Sequence, residues 1–310
     1  MKAAFLMSFL LMLPGYGHAE SEPPKAAGAP SLNQPVSSLE VWQSQSTEEA
    51  RASLLQVHGY RVVRDLCYGN PDQGPRNMLD LYLPVDVSGK TPVILAIHGG
   101  GLTTGSKEMF SPKAKELAEK GYAVAAMSYR LKPDHYLPAQ IYDAKAAVRW
   151  LRAHAAEYGI DGDKIGVIGG SAGATIAAAI GTSADVKELE GRVGAHPGIP
   201  TKVQAVVALA GVYRQFPWMV GRRPSEPDAK ELAVKCAPIT YVSQDDPPFL
   251  LMIGDKDKTP GGVADHESFH SALKDKGVDS TLLIVPGAEH GQCFDTEFEK
   301  ILKFFDKHLR

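Results

Sequence analysis

The chain predicts an α/β fold: a mostly parallel central sheet of about eight strands with helices on both faces. Continuously apolar runs recur at residues 93–97, 123–127, 165–168, 203–209, 249–253 and 282–285. Continuous rather than alternating apolarity is what strands covered on both faces require, and such strands belong to parallel sheets. Between the runs, Ile141, Ala144, Val148, Leu151, Ala155 and Tyr158 fall at helical spacing and make one buried stripe. Trp150 lies beside that stripe, as a packing residue. Ahead of the parallel core, Tyr60 to Arg64 and Leu79 to Leu83 alternate in polarity, the pattern of antiparallel edge strands. No repeat is visible.

A length of 310 residues suits one large α/β domain. The net charge is −3, and no basic cluster exceeds a few residues, so nucleic acid is not an expected partner. Met1 to Ala19 reads as a signal peptide: Lys2 supplies the positive start, Ala3 to Leu13 is apolar apart from Ser8, and Gly17-His18-Ala19 offers small residues for cleavage after Ala19. The apolar stretch is too short to span a bilayer, so no integral span is expected after cleavage. The expected location is periplasmic or secreted. Residues 20–45 read as a disordered linker rich in Pro, Ala and Ser, and residues 46–310 as the α/β domain. Ser46 to Leu55 reads as a short helix, with Glu48 and Glu49 in its first turn.

Ser171 stands in Gly169-Gly170-Ser171-Ala172-Gly173, directly after an apolar run and directly before Ala174 to Ile180. A strand, a tight turn and a helix in that order expose a serine hydroxyl at the helix N-terminus, with glycines removing clashes at the flanks. A free serine is a poor nucleophile near neutral pH, so a base and an oxyanion site are needed as well. Upstream, the 93–97 run leads into His98-Gly99-Gly100-Gly101, whose glycines leave backbone N–H groups uncovered. His98 itself reads as a residue that shapes this loop. Downstream, one run ends in Gly254-Asp255-Lys256-Asp257 and the next in Pro286-Gly287-Ala288-Glu289-His290. Asp255 and Asp257 are both available as the acid.

These residues, with Asn77 to Pro84, Ser128-Tyr129-Arg130-Leu131, Ala237 to Thr240 and Pro247-Pro248, resemble the bacterial esterase/lipase branch of the α/β-hydrolase family. The nearest groups are the hormone-sensitive-lipase-like and feruloyl-esterase-like carboxylesterases, and the resemblance runs over about residues 55–310. It implies a triad of Ser171, Asp257 and His290, because the family spacing of Gly, two residues and Asp selects Asp257, with Pro260 closing the loop. It implies an oxyanion hole from the N–H groups of Gly100, Gly101 and Ala172. It also implies a short cap at Val212 to Lys235, with Leu102, Phe216, Trp218 and Met219 walling the pocket. Leu102 stands where relatives often carry tryptophan, and Ala174 where glycine is frequent.

The activity implied is hydrolysis of carboxylic esters through an acyl-enzyme. The substrate would be a small-molecule or polysaccharide-linked ester: acetyl, feruloyl, short-chain lipid or aryl. An amidase or formamidase would use the same triad, and a peptidase would need a further substrate-selecting domain. A non-catalytic binding protein on this fold would be expected to have lost a triad member, and all three are present. No cofactor is expected, since the ten histidines show no metal-ligand spacing and there is no Walker or dinucleotide glycine motif. Of the three cysteines, Cys236 and Cys293 are the pair that a disulfide would join, with Cys67 too far off to take part; three unpaired, mostly buried thiols are the alternative, and the sequence leaves the choice open.

Overall fold

The computed structural model describes residues 55–310 apart from residues 58, 86, 215, 216 and 224. The expected signal peptide, the linker and residues 46–54 lie outside the described residues, as does Phe216 of the expected pocket wall.

Among the described residues nine strands form one sheet in the order β1-β2-β3-β5-β4-β6-β7-β8-β9. They are β1 (Leu55–Val57), β2 (Tyr60–Cys67), β3 (Met78–Pro84), β4 (Thr91–Ile97), β5 (Ala123–Met127), β6 (Ile160–Gly170), β7 (Ala205–Leu209), β8 (Phe249–Gly254) and β9 (Ser280–Val285). The eight strands read from the sequence are joined by β1, a three-residue edge strand whose first residue, Leu55, was expected to end a helix. Pairing from β1 through β3 to β5 is antiparallel, and from β5 through β4 to β9 it is parallel.

The eight described α-helices are α1 (Ser111–Glu119), α2 (Ala139–Ala153), α3 (Ala155–Tyr158), α4 (Ala172–Thr182), α5 (Ala229–Cys236), α6 (Gly262–Asp275), α7 (Cys293–Thr296) and α8 (Phe298–Leu309). Alternate side chains of β4 show why its run is continuously apolar. Val93, Leu95 and Ile97 enter one core with α2, α4 and α6, while Ile94 and Ala96 enter another with α1 and α8. Both faces of the sheet are dry, so every position must be apolar. Full burial of each large side chain contributes about 1.5–3 kcal/mol. No described helix is long and apolar enough to cross a membrane.

One expectation is corrected, and one choice the sequence left open is decided. The stripe from Ile141 to Tyr158 is not one helix: α2 stops at Ala153 and α3 begins at Ala155. At the break, the Trp150 carbonyl accepts the His154 backbone N–H at 3.0 Å and lies 2.9 Å from Nδ1 of the same residue, whose ring stacks on Trp150. A side chain that competes for a helix carbonyl bends the helix there. Secondly, Cys236 and Cys293 are both free thiols rather than a disulfide. Cys236 packs in the core with α2 and α4, whereas Cys293 packs in the core with α1 and α8, so the sheet lies between them. Burial pushes the two thiols up to about 12 and about 11, away from the reactive thiolate. Cys67 is also free, as expected.

Candidate active site

Four loops that leave the carboxyl ends of β4, β6, β8 and β9 converge on Ser171, the edge at which open parallel sheets bind ligands. Ser171 is the single residue between β6 and α4. Its backbone has φ 55° and ψ −121°, a conformation that costs a non-glycine residue about 1–3 kcal/mol. The surroundings enforce it. The Ser171 N–H donates to the Leu209 carbonyl at 2.8 Å, and the Ser171 carbonyl accepts the N–H groups of Ala174 and Thr175. A methyl on Gly169 would sit 2.2 Å from the Gly173 carbonyl oxygen, and one on Gly173 would sit 2.1 Å from that of Ile97. Only glycine fits at either place.

The His290 Nε2 lies 3.0 Å from Ser171 Oγ, and its Nδ1 lies 2.9 Å from Asp257 Oδ2. The Asp257 side chain is fully buried while His290 is about half exposed. Burial pushes the Asp257 carboxyl up, but hydrogen bonds from Thr259 and His290 outweigh it and hold the group below its ordinary value. Asp255 points elsewhere: its Oδ1 accepts the Gly287 N–H at 2.7 Å. The structure thus separates the two carboxylates that the sequence left side by side. Asp143 and Asp246 bind Arg130 and Ser243, away from the serine.

The loop after β4 brings Gly99 against the elbow, where a methyl would lie 3.3 Å from Ser171 Cβ. Gly100 has φ 106°, and a methyl there would come within 2.2 Å of the Thr104 carbonyl oxygen. Its own carbonyl accepts the N–H groups of Thr103 and Thr104, which closes the turn. Among the described residues no acceptor takes the N–H of Gly100, Gly101 or Ala172. His98 is buried beneath this loop, its Nδ1–H donating to the Gly99 carbonyl at 2.7 Å and its ring stacked on Tyr129 at 4.1 Å. Burial lowers its pKa to about 4, so the ring is neutral. At the loop's far end the buried Lys107 ammonium contacts Asp80, Asp65 and Glu108 at 2.7–2.9 Å.

A cavity of about 320 Å³ opens beside Ser171 and His290. Leu102, Trp218 and Met219 line it, as do Gly101 and Ala172. Leu102 and Met219 are buried, and Trp218 is 44% exposed at the mouth. The segment between β7 and β8 supplies the last two from a short 3-10 turn at Pro217–Val220. Sequence reasoning missed Thr175, Val212, Lys258 and Thr259, which also line the cavity. Thr259 had a signal: Asp257 and Thr259 form an Asp-x-Thr pair, and the Thr259 N–H donates to Asp257 Oδ1 at 2.7 Å, an Asx turn. Among the described residues no cluster of His, Cys, Asp and Glu is arranged to hold a metal ion.

Comparison with known proteins agrees with this geometry. The BD-FAE family profile matches residues 79–268. A probable carboxylic ester hydrolase of Mycobacterium tuberculosis, LipM, is 32% identical over 62% of this chain and 47% of its own length. A bifunctional GH43-CE protein of Bacteroides eggerthii superposes with a TM-score of 0.74 at 30% identity, over 81% of this chain and 38% of that one. A truncated carbohydrate esterase from gut microbiota gives 0.73 at 28% identity, over 81% of this chain and 98% of its own. The chain spans about half the length of the curated relatives it matches. With the sheet order, the serine elbow and a profile that covers most of the sheet, the chain belongs to the BD-FAE family of the α/β-hydrolases.

Proposed function

We propose that the chain is a serine carboxylic-ester hydrolase that works through an acyl-enzyme. The observation that carries this reading is the continuous hydrogen-bonded line from Ser171 Oγ through His290 to Asp257 Oδ2. Gly101 and Ala172 line the same cavity as Ser171, and no described acceptor takes their N–H groups or that of Gly100.

In the first half-reaction the Ser171 hydroxyl proton passes to His290 Nε2 while Oγ bonds to the ester carbonyl carbon. The carbonyl oxygen becomes an oxyanion, and the three N–H groups donate to it. Loss of one such donor typically costs about 10²–10³ in turnover. The imidazolium then returns its proton to the departing alkoxide as the C–O bond breaks. Water repeats the sequence on the acyl-enzyme and frees the acid and the serine. Asp257 stays ionised throughout, because its bonds from Thr259 and His290 hold its pKa low.

The substrate is a small-molecule or polysaccharide-linked ester. The likeness to carbohydrate-esterase structures supports this. So does the cavity, whose volume of about 320 Å³ gives room for a modest acyl group, with the partly exposed Trp218 in its lining. The N-terminal sequence supports export, and N-terminal sequencing of secreted protein should begin at Glu20.

Rates on acetyl, butyryl, octanoyl and feruloyl esters, and on matched amides, test the proposal. Esters should be cleaved faster than amides, and Ser171→Ala should retain less than about a thousandth of the activity. A serine-directed phosphonate should label Ser171 alone. Faster amide cleavage would favour the amidase reading, and an active Ser171→Ala protein would end the triad mechanism.

A further inference from the structure

We infer that Thr259 is a positioning residue of the triad, whose hydroxyl fixes the proton of His290 on Nδ1. The inference rests on the ester-hydrolase reading above. The Thr259 Oγ1 lies 2.8 Å from His290 Nδ1 and also hydrogen-bonds Asp257 Oδ1. A hydroxyl carries one proton, and an ionised carboxylate can only accept, so that proton goes to Asp257. Only the lone pairs of Oγ1 then face the imidazole. Nδ1 sees two acceptors, Asp257 Oδ2 at 2.9 Å and Thr259 Oγ1, so it must carry the hydrogen. That leaves the Nε2 lone pair for the Ser171 hydroxyl.

Thr259 also decides which carboxylate oxygen serves the histidine. Its N–H and its hydroxyl both go to Oδ1, which leaves Oδ2 to His290. The N–H bond does not depend on the side chain, so Thr259→Val keeps the carboxylate oriented and the shape of the site, and removes the hydroxyl alone. Thr259→Ser does the reverse, keeping the hydroxyl and removing the methyl.

The test measures kcat and KM on one activated ester for both variants, in the wild-type chain and in Asp257→Asn, with thermal unfolding as the check of folding. Thr259→Val should lower kcat about tenfold with KM within about twofold, the cost of one hydrogen bond to a developing charge. Thr259→Ser should stay within about threefold of wild type. In Asp257→Asn the valine substitution should cost less than about twofold, because the hydroxyl acts through the pair. The low-field proton resonance of His290 Nδ1–H should shift in Thr259→Val. A valine variant with wild-type kcat and an unshifted resonance overturns the role. So does a serine variant as impaired as the valine one, which would show that the hydroxyl alone does not restore function and that the effect is one of side-chain shape. Failure of the ester-hydrolase reading shows separately, as activity that survives Ser171→Ala.

Discussion

Asp255 Oδ1 accepts the backbone N–H of Gly287 at 2.7 Å, so this carboxylate holds the loop that carries His290 rather than the imidazole itself. Asp257, two residues on, takes the imidazole. The two acids therefore make opposite predictions. Asp257→Asn should depress turnover by about 10⁴, since an amide facing Nδ1 stabilises the wrong tautomer. Asp255→Asn keeps an oxygen acceptor for Gly287 and should lose less than about tenfold. Steady-state kinetics on the two variants decides this, and equal losses would contradict the geometry.

The elbow glycines differ in what surrounds them. A methyl on Gly173 meets backbone at 2.1 Å, whereas one on Gly170 meets nothing within 4 Å. Gly173→Ala should cost at least about 3 kcal/mol of stability, because backbone of β4 must move. Gly170→Ala should be neutral or stabilise by about 0.4–1 kcal/mol through the unfolded chain. Denaturant unfolding of the two variants measures the contrast.

How much of this could be read from the chain depends on which interactions are local. The core strands were legible because burial on both faces leaves β4 no polar position, and the elbow because glycine is forced at 169 and 173. Which of Asp255 and Asp257 meets the histidine was fixed only by the family pattern. In the structure it follows from a bond between two loops distant in sequence. The break at His154 was hidden because it comes from one side chain reaching a carbonyl, which no apolar spacing records. The choice between a Cys236–Cys293 bridge and free thiols stayed open because it depends on which face of the sheet each residue packs. Peptide mapping without reductant should accordingly find Cys236 and Cys293 as separate alkylated peptides.

Trp218 is 44% exposed, lines the cavity beside Ser171, and has the Lys132 ammonium 5.0 Å from its ring centre. At the exposed side of the cavity it is placed for contact with the outer part of an ester rather than with the reacting carbonyl, if the ester is bound at Ser171. Trp218→Ala should lower kcat/KM on a feruloyl ester about tenfold, by lost apolar contact, and on an acetyl ester less than about threefold. Equal effects on both esters would place Trp218 outside the substrate's path.

His98 is buried under the loop that carries Gly100 and Gly101, stacked on Tyr129, with Nε2 bonded to no described residue. Burial takes its pKa down to about 4, against an ordinary value of 6.5. Between those values the unfolded chain binds a proton that the folded chain refuses, so stability rises with pH across this window. His98's contribution is fully present above about pH 6.5 and is lost as pH falls toward 4, at up to about 1.4 kcal/mol per pH unit. His98→Phe keeps the stacking on Tyr129 and removes the titration. Urea unfolding at pH 7.5 and 4.5 should show wild type losing about 2 kcal/mol more than His98→Phe over that interval. Other titrating groups, including the buried His266, are common to both proteins and cancel in the difference. Identical losses in the two proteins would mean that His98 accepts its proton without disturbing the loop, and that acid acts on the fold elsewhere.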